Sequence, residues 1–109
     1  MEKLRFNYEN EVLTLKIIGD IDHHSAVSVR EQSDSLIFEK RPTIVLFDLS
    51  AVEFMDSSGL GLILGRFTLS EEIGAEFKII KPARSVLRIL ELAGIERLIK
   101  IEGDNNEEK

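Results

Sequence analysis

The chain has 109 residues, 20 of them acidic and 14 basic, and its net charge of −6 disfavours a nucleic-acid binder built on clustered Lys and Arg. Zero cysteines exclude disulfides and thiolate metal sites, and 43% hydrophobic residues make the chain too apolar to be disordered. No apolar run approaches the ~20 residues of a membrane span, and Met1-Glu2-Lys3-Leu4-Arg5 lacks the apolar stretch of a signal peptide. A single cytoplasmic domain over 1–109 is expected, with neither membrane nor nucleic acid as partner.

Leu4, Phe6 and Tyr8 alternate with Arg5 and Asn7, which predicts a strand with one covered face. Glu9-Asn10 reads as a tight turn and Val12 to Ile18 as a second strand, antiparallel to the first and ended by Gly19. From Asp22 a helix carries Ala26, Val29, Ser33, Leu36 and Ile37 on one side, until Arg41-Pro42 halts it. The short branched run Ile44-Val45-Leu46-Phe47, within Thr43 to Leu49, predicts a strand buried on both faces. Leu60, Ile63, Leu64 and Phe67 recur at helical spacing, with an end near Glu72 and Gly74 as a left-handed cap. Phe77 to Ile80 reads as a strand stopped by Pro82. Val86, Leu87, Leu90 and Ala93 predict a third helix closed by Gly94, and Arg97 to Ile101 a last strand.

This order predicts an α/β fold: a mixed, mostly parallel sheet of four or five strands, opened by an antiparallel hairpin and flanked by three or four helices. The ordered core is expected over about residues 4–101, with a polar tail at 102–109. Two parallel strands joined by a helix end on the same rim of the sheet. The loops Asp20-Ile21-Asp22-His23-His24 and Met55-Asp56-Ser57-Ser58-Gly59 should therefore lie side by side, where α/β sheets tend to hold their sites.

Asp56-Ser57-Ser58-Gly59-Leu60-Gly61 precedes a strongly periodic helix and has two readings. One is a helix start alone, in which Asp and Ser accept hydrogen bonds from first-turn N–H groups, worth roughly 1 kcal/mol. The other is a serine hydroxyl presented at the positive end of a helix, where a phosphate is electrostatically favoured. A hydrolase elbow needs glycine two residues either side of its serine; Met55 and Gly59 flank Ser57, while Asp56 and Leu60 flank Ser58, so neither fits. No Gly-Lys-Ser or Gly-Lys-Thr phosphate loop occurs, and the chain is not expected to be an enzyme.

His23-His24 invites a metal, but adjacent residues on a helix point about 100° apart, and the chain has no other histidine. Asp22 as an N-cap, with both histidines in the first turn, accounts for the cluster, so no metal and no cofactor is expected. Asp22 also reads as an exposed acid beside Ser57, able to pair with a basic partner residue. Gly61 and Gly65 thin one side of the helix and allow a neighbouring backbone close, with tight internal packing on the sheet as the preferred reading, and Arg66 reads as part of a solvated face. Met55 beside Phe54 is either a small exposed apolar contact or buried beneath the loop.

At Gly19-Asp20-Ile21-Asp22-His23-His24-Ser25-Ala26, and again from Phe54-Met55-Asp56-Ser57-Ser58-Gly59 through Arg66, the chain resembles bacterial anti-sigma factor antagonists (anti-anti-sigma factors). These are single-domain STAS proteins, and the likeness runs from about Leu4 to Ile101. The resemblance implies a STAS-type fold and partner switching. The unmodified antagonist binds an anti-sigma factor that is also an ATP-dependent serine kinase, and so releases the sigma factor for transcription. It further implies Ser57 as the phosphorylated residue, Ser58 as the adjacent non-acceptor, and a PP2C-type phosphatase that reverses the modification. Asp22 matches a position the family uses to contact the kinase, so Asp22, His23, Asp56, Ser57, Ser58 and Gly59 form the expected partner-binding set. ATP and magnesium belong to the kinase, and the free chain is expected to be a monomer. The competing reading is a STAS subunit, never phosphorylated, in a larger signalling or lipid-transport assembly.

Overall fold

The computed structural model describes residues 2–103. A hairpin opens the chain, β1 (Leu4–Glu9) against β2 (Val12–Ile18), antiparallel in unbroken register from Leu4↔Ile17 to Glu9↔Val12. Its turn is Asn10–Glu11, one residue later than expected, and both residues are left-handed at φ 52° and 66°. Two such residues match the right-handed twist of the strands they join.

The helix α1 (His23–Lys40) ends where Arg41 turns left-handed, φ 51°, with its N–H donating to the Ile37 carbonyl at 3.0 Å; Pro42 follows and cannot continue the helix. Next come β3 (Ile44–Ala51) and α2 (Ser57–Glu72). Gly74, φ 81°, closes α2: its N–H reaches the Glu71 carbonyl, and that of Ala75 reaches Ser70 at 2.8 Å. Then follow β4 (Glu76–Ile80), α3 (Arg84–Leu92) and β5 (Lys100–Glu102). The last strand begins three residues later than predicted. Arg97 instead ends a 3-10 turn, Ile95–Arg97, whose bonds from the Arg97 N–H to Gly94 and from the Leu98 N–H to Ile95 coil the chain. Glu102 closes this strand, and the rest of the expected tail, from 104 on, lies outside the described residues.

The sheet order is β1-β2-β3-β4-β5, with every pair after the hairpin parallel. Each crossover steps one strand in the same direction. Right-handed connections therefore place all three helices on one face. Leu13, Leu15, Ile17, Val45, Phe47, Leu49, Phe77 and Ile79 point to that face and are buried. The run Ile44-Val45-Leu46-Phe47 is therefore not buried on both faces. Ile44 and Leu46 are only half-buried on the bare face, where Leu46 lies between Thr14 and Lys78 in register. Alternation, hidden by the branched residues, is what a sheet with one covered face requires.

Two contacts fix α2 on this layer. On one flank Phe67 meets Phe77 edge-on at 6.2 Å, and Phe77 meets Phe47 at 5.6 Å. On the other, Arg66 meets Asp34 of α1, Nε to Oδ1 at 2.8 Å. Arg66 is 6% exposed, so it is no part of a solvated face. Burial pulls its pKa down and Asp34 opposes that shift, while Arg30 adds to it. The stripe facing the core is Gly59, Leu62, Ile63, Arg66 and Ser70, turned from the predicted one so that Leu64 faces outward.

Candidate functional site

The carboxyl ends of β2 and β3 lead into two helix starts that are joined backbone to backbone. Ile21 and Met55 form a parallel bridge: the Ile21 N–H donates to the Phe54 carbonyl at 3.0 Å, and the Asp56 N–H to the Ile21 carbonyl at 3.1 Å. Both bridge residues are buried. Of the neighbouring pair, Met55 is thus the buried residue and Phe54 the exposed one, at 53%. The residue after each bridge partner is an aspartate in extended conformation, Asp22 for α1 and Asp56 for α2. The two helices begin side by side and in step. The expected meeting of the two loops is present.

Asp22 closes a reciprocal cap. Its Oδ1 accepts from the Ser25 N–H at 2.9 Å, and the Asp22 N–H donates to Ser25 Oγ at 3.0 Å. The carboxylate is exposed, and the Ser25 N–H is the first cause that holds its pKa below the ordinary value. His23 and His24 are exposed in the first turn, as the sequence suggests. Ser25 turns inward and is buried, its hydroxyl also donating to the Asp20 carbonyl at 3.1 Å.

Asp56 caps α2 differently. Its Oδ1 accepts from the Ser58 N–H at 2.8 Å, and its carbonyl from the Gly59 N–H at 2.9 Å. Ser57 is the first helical residue and exposed; among the described residues its hydroxyl enters no side-chain hydrogen bond. Ser58 is half-buried. Gly59 is buried, and a Cβ there would stand 2.8 Å from both Cβ and Sδ of Met55. Glycine at 59 is what lets the start of α2 rest on the bridge residue.

Gly61 and Gly65 correct the reading of close packing, since a Cβ at either would meet nothing within 4 Å. Together with Ser57, Leu64 and Thr68, Gly61 forms a low outward face on α2. The sequence leaves open which of Phe54 and Met55 is exposed, and it does not mark Ser57, Gly61, Leu64 and Thr68 as one face. The signal for Phe54 was present, because the residue before an inward bridge residue in an extended segment must point out. On the far side of the loop, Ser85 of α3 donates to the Glu53 carbonyl at 3.0 Å, so the segment leading to Ser57 is tied on both flanks.

A one-faced mixed sheet with paired helix starts at one rim defines the class, and a STAS domain model matches residues 4–108. The anti-sigma F factor antagonist of Paenibacillus polymyxa is 32% identical over 91% of this chain and 85% of its own length. The fold matches the unphosphorylated anti-sigma factor antagonist SpoIIAA (TM-score 0.77, 24% identity, 90% of this chain and 86% of that one). It also matches the phosphorylated form of the Bacillus cell fate determinant SpoIIAA (TM-score 0.70, 23% identity, 90% and 89%). The chain belongs to the STAS domain family, among its anti-sigma factor antagonists. No helix among the described residues is long and apolar enough to cross a membrane.

Proposed function

We propose that this chain is a cytoplasmic partner switch controlled at Ser57. In its unmodified form the rim binds an anti-sigma factor with serine kinase activity, which frees the sigma factor; phosphorylated at Ser57, it no longer binds. The observation that carries this reading is the exposed Ser57 hydroxyl, without a side-chain hydrogen bond among the described residues, at the first position of α2 beside the start of α1. The chain contributes the acceptor and the docking surface, and the kinase contributes ATP and magnesium. A PP2C-type phosphatase restores the hydroxyl.

The physics of the switch follows from the paired starts. Two parallel helix N-termini add their positive ends at one rim, so a phosphate there does not unfold its host. A phosphoserine nevertheless carries about −1.5 to −2 charges and holds water tightly. Beside the carboxylates of Asp22 and Asp56, in a surface that must dry when a partner docks, that charge opposes binding by desolvation and repulsion. Asp22, His23, Asp56, Ser58 and Gly59 frame the docking surface, with Phe54 as its apolar contact. Gly61 keeps the outward face of α2 low enough for a partner backbone to approach.

The test is to incubate the chain with a candidate kinase and ATP and to weigh it intact. The wild type should gain the mass of one phosphate and Ser57→Ala none, while Ser57→Ala still binds the kinase. Stoichiometric phosphorylation of Ser57→Ala would overturn the assignment.

A further inference from the structure

The two edges of the sheet are built differently. At one, β5 is three residues long, and its Lys100 and Glu102 pair with each other at 3.4 Å, while Lys78 reaches Glu102 at 3.7 Å. Short, charged edges resist pairing with another strand. At the other, β1 is six residues long, regular in register, and free of proline and bulges.

The hairpin fixes which groups of β1 are free. The Ile18 N–H donates to the Lys3 carbonyl at 2.8 Å, and the tight turn closes on Glu9↔Val12. In an antiparallel ladder bonded and non-bonded pairs alternate, so Arg5, Asn7 and Glu9 spend their backbone groups on β2. The N–H and C=O groups of Leu4, Phe6 and Tyr8 therefore point away from the sheet. Beside this edge runs a groove of about 700 Å³ against α1, lined by Leu4, Phe6, Gln32, Ser35 and Leu36. Phe6 is 51% exposed on it. Lys40 Nζ lies over the Phe6 and Tyr8 rings at 5.8 and 5.7 Å.

We propose that this edge is a self-association surface, on which β1 of a second copy pairs antiparallel to form one continuous ten-stranded sheet. The occupant is chosen by charge and register. A two-fold axis through Asn7 uses only the outward-pointing backbone groups, and sets Phe6 opposite the partner's Tyr8 on the helix face. On the bare face it sets Arg5 opposite the partner's Glu9, twice by symmetry, in non-hydrogen-bonded pairs where side chains lie closest. The strand is thus complementary to itself. This departs from the monomer expected from the sequence, and it does not rest on the function proposed for Ser57. Antiparallel pairing sends the two Ser57 rims to opposite ends of the joint sheet, so both remain open.

Sedimentation against concentration tests it with charge swaps. The wild type should move from monomer toward twice that mass as concentration rises toward about 1 mM, the weak end of specific association. Arg5→Glu alone and Glu9→Arg alone should stay monomeric, whereas their equimolar mixture, and the double variant Arg5→Glu/Glu9→Arg, should regain the dimer. Circular dichroism checks that each variant is folded. For any that is not, amide exchange of wild-type Leu4, Phe6 and Tyr8 decides: slowing with concentration supports the pairing, and unchanged exchange overturns it. A wild type monomeric throughout, dimers unaffected by the swaps, or edge amides protected only when another protein is added would each overturn it.

Discussion

The two helix starts share one plan and differ in where each places a hydroxyl. Ile21-Asp22-His23-His24-Ser25 and Met55-Asp56-Ser57-Ser58-Gly59 each run from buried bridge residue to aspartate cap to first turn. At the third helical position the first has Ser25, whose hydroxyl turns inward to complete the cap. The second has Gly59, pressed on Met55, and its hydroxyl sits instead at the first position, facing solvent. The same local grammar thus yields one closed start and one open to modification. Rigidity in the first start, and in the bridge, holds the second one's hydroxyl at a defined place on the rim.

Breaking that comparison should cost most at its tightest contact. Gly59→Val drives a branched side chain into Met55 and should destabilise the fold by about 3 kcal/mol in urea titrations. Asp34→Ala strands the buried Arg66 and loosens α2 from α1; because Asp34 is about a third exposed, we expect about 2 kcal/mol by the same method. Ser25→Ala opens the closed start and should cost about 1 kcal/mol, with binding at the Ser57 rim weakened less than by Gly59→Val. Gly61→Ala sharpens the contrast by opposing its two effects. It should stabilise α2 by about 0.5–1 kcal/mol, because nothing in the fold needs a bare Cα there, yet weaken partner binding measured by calorimetry.

The smallest effect is a pH dependence at the closed start. The Asp22 carboxylate is held below its ordinary pKa of 3.8, chiefly by the Ser25 N–H. A lowered folded value contributes stability that is present above the unfolded pKa and is lost as pH falls through the folded one. The stability gap between wild type and Asp22→Ala should therefore shrink as pH falls through 3.8 and below it. A gap that widens over that range would contradict the cap.

Periodicity and turn chemistry made the element order, the hairpin and the meeting of the two loops legible in the sequence. What stayed hidden has a physical cause in each case. The turn at Asn10–Glu11 lacks the Gly that usually marks the second left-handed position, so its register was read one residue early. The phase of α2 was ambiguous because Leu60, Leu62, Ile63 and Leu64 spread apolar surface almost all round its first half. The true stripe continues through Arg66 and Ser70, which are polar. Arg66 is paired with Asp34 on another helix, a partnership not visible along one chain segment, while the Ser70 hydroxyl turns back to the Arg66 carbonyl of its own helix at 2.8 Å. Glycines posed the opposite problem. Gly59 and Gly61 look alike in sequence, yet one is forced by packing and the other by nothing inside the molecule.

The central idea is that charge at one oxygen, rather than a change of fold, controls docking at the rim. Its most direct test is to measure the affinity of the kinase partner for the chain with and without a phosphate on Ser57, while recording amide spectra of both forms. The phosphate should cost at least about a hundredfold in affinity, about 3 kcal/mol, with spectral changes confined to the two helix starts. Equal affinities, or a spectrum altered throughout the sheet, would contradict it.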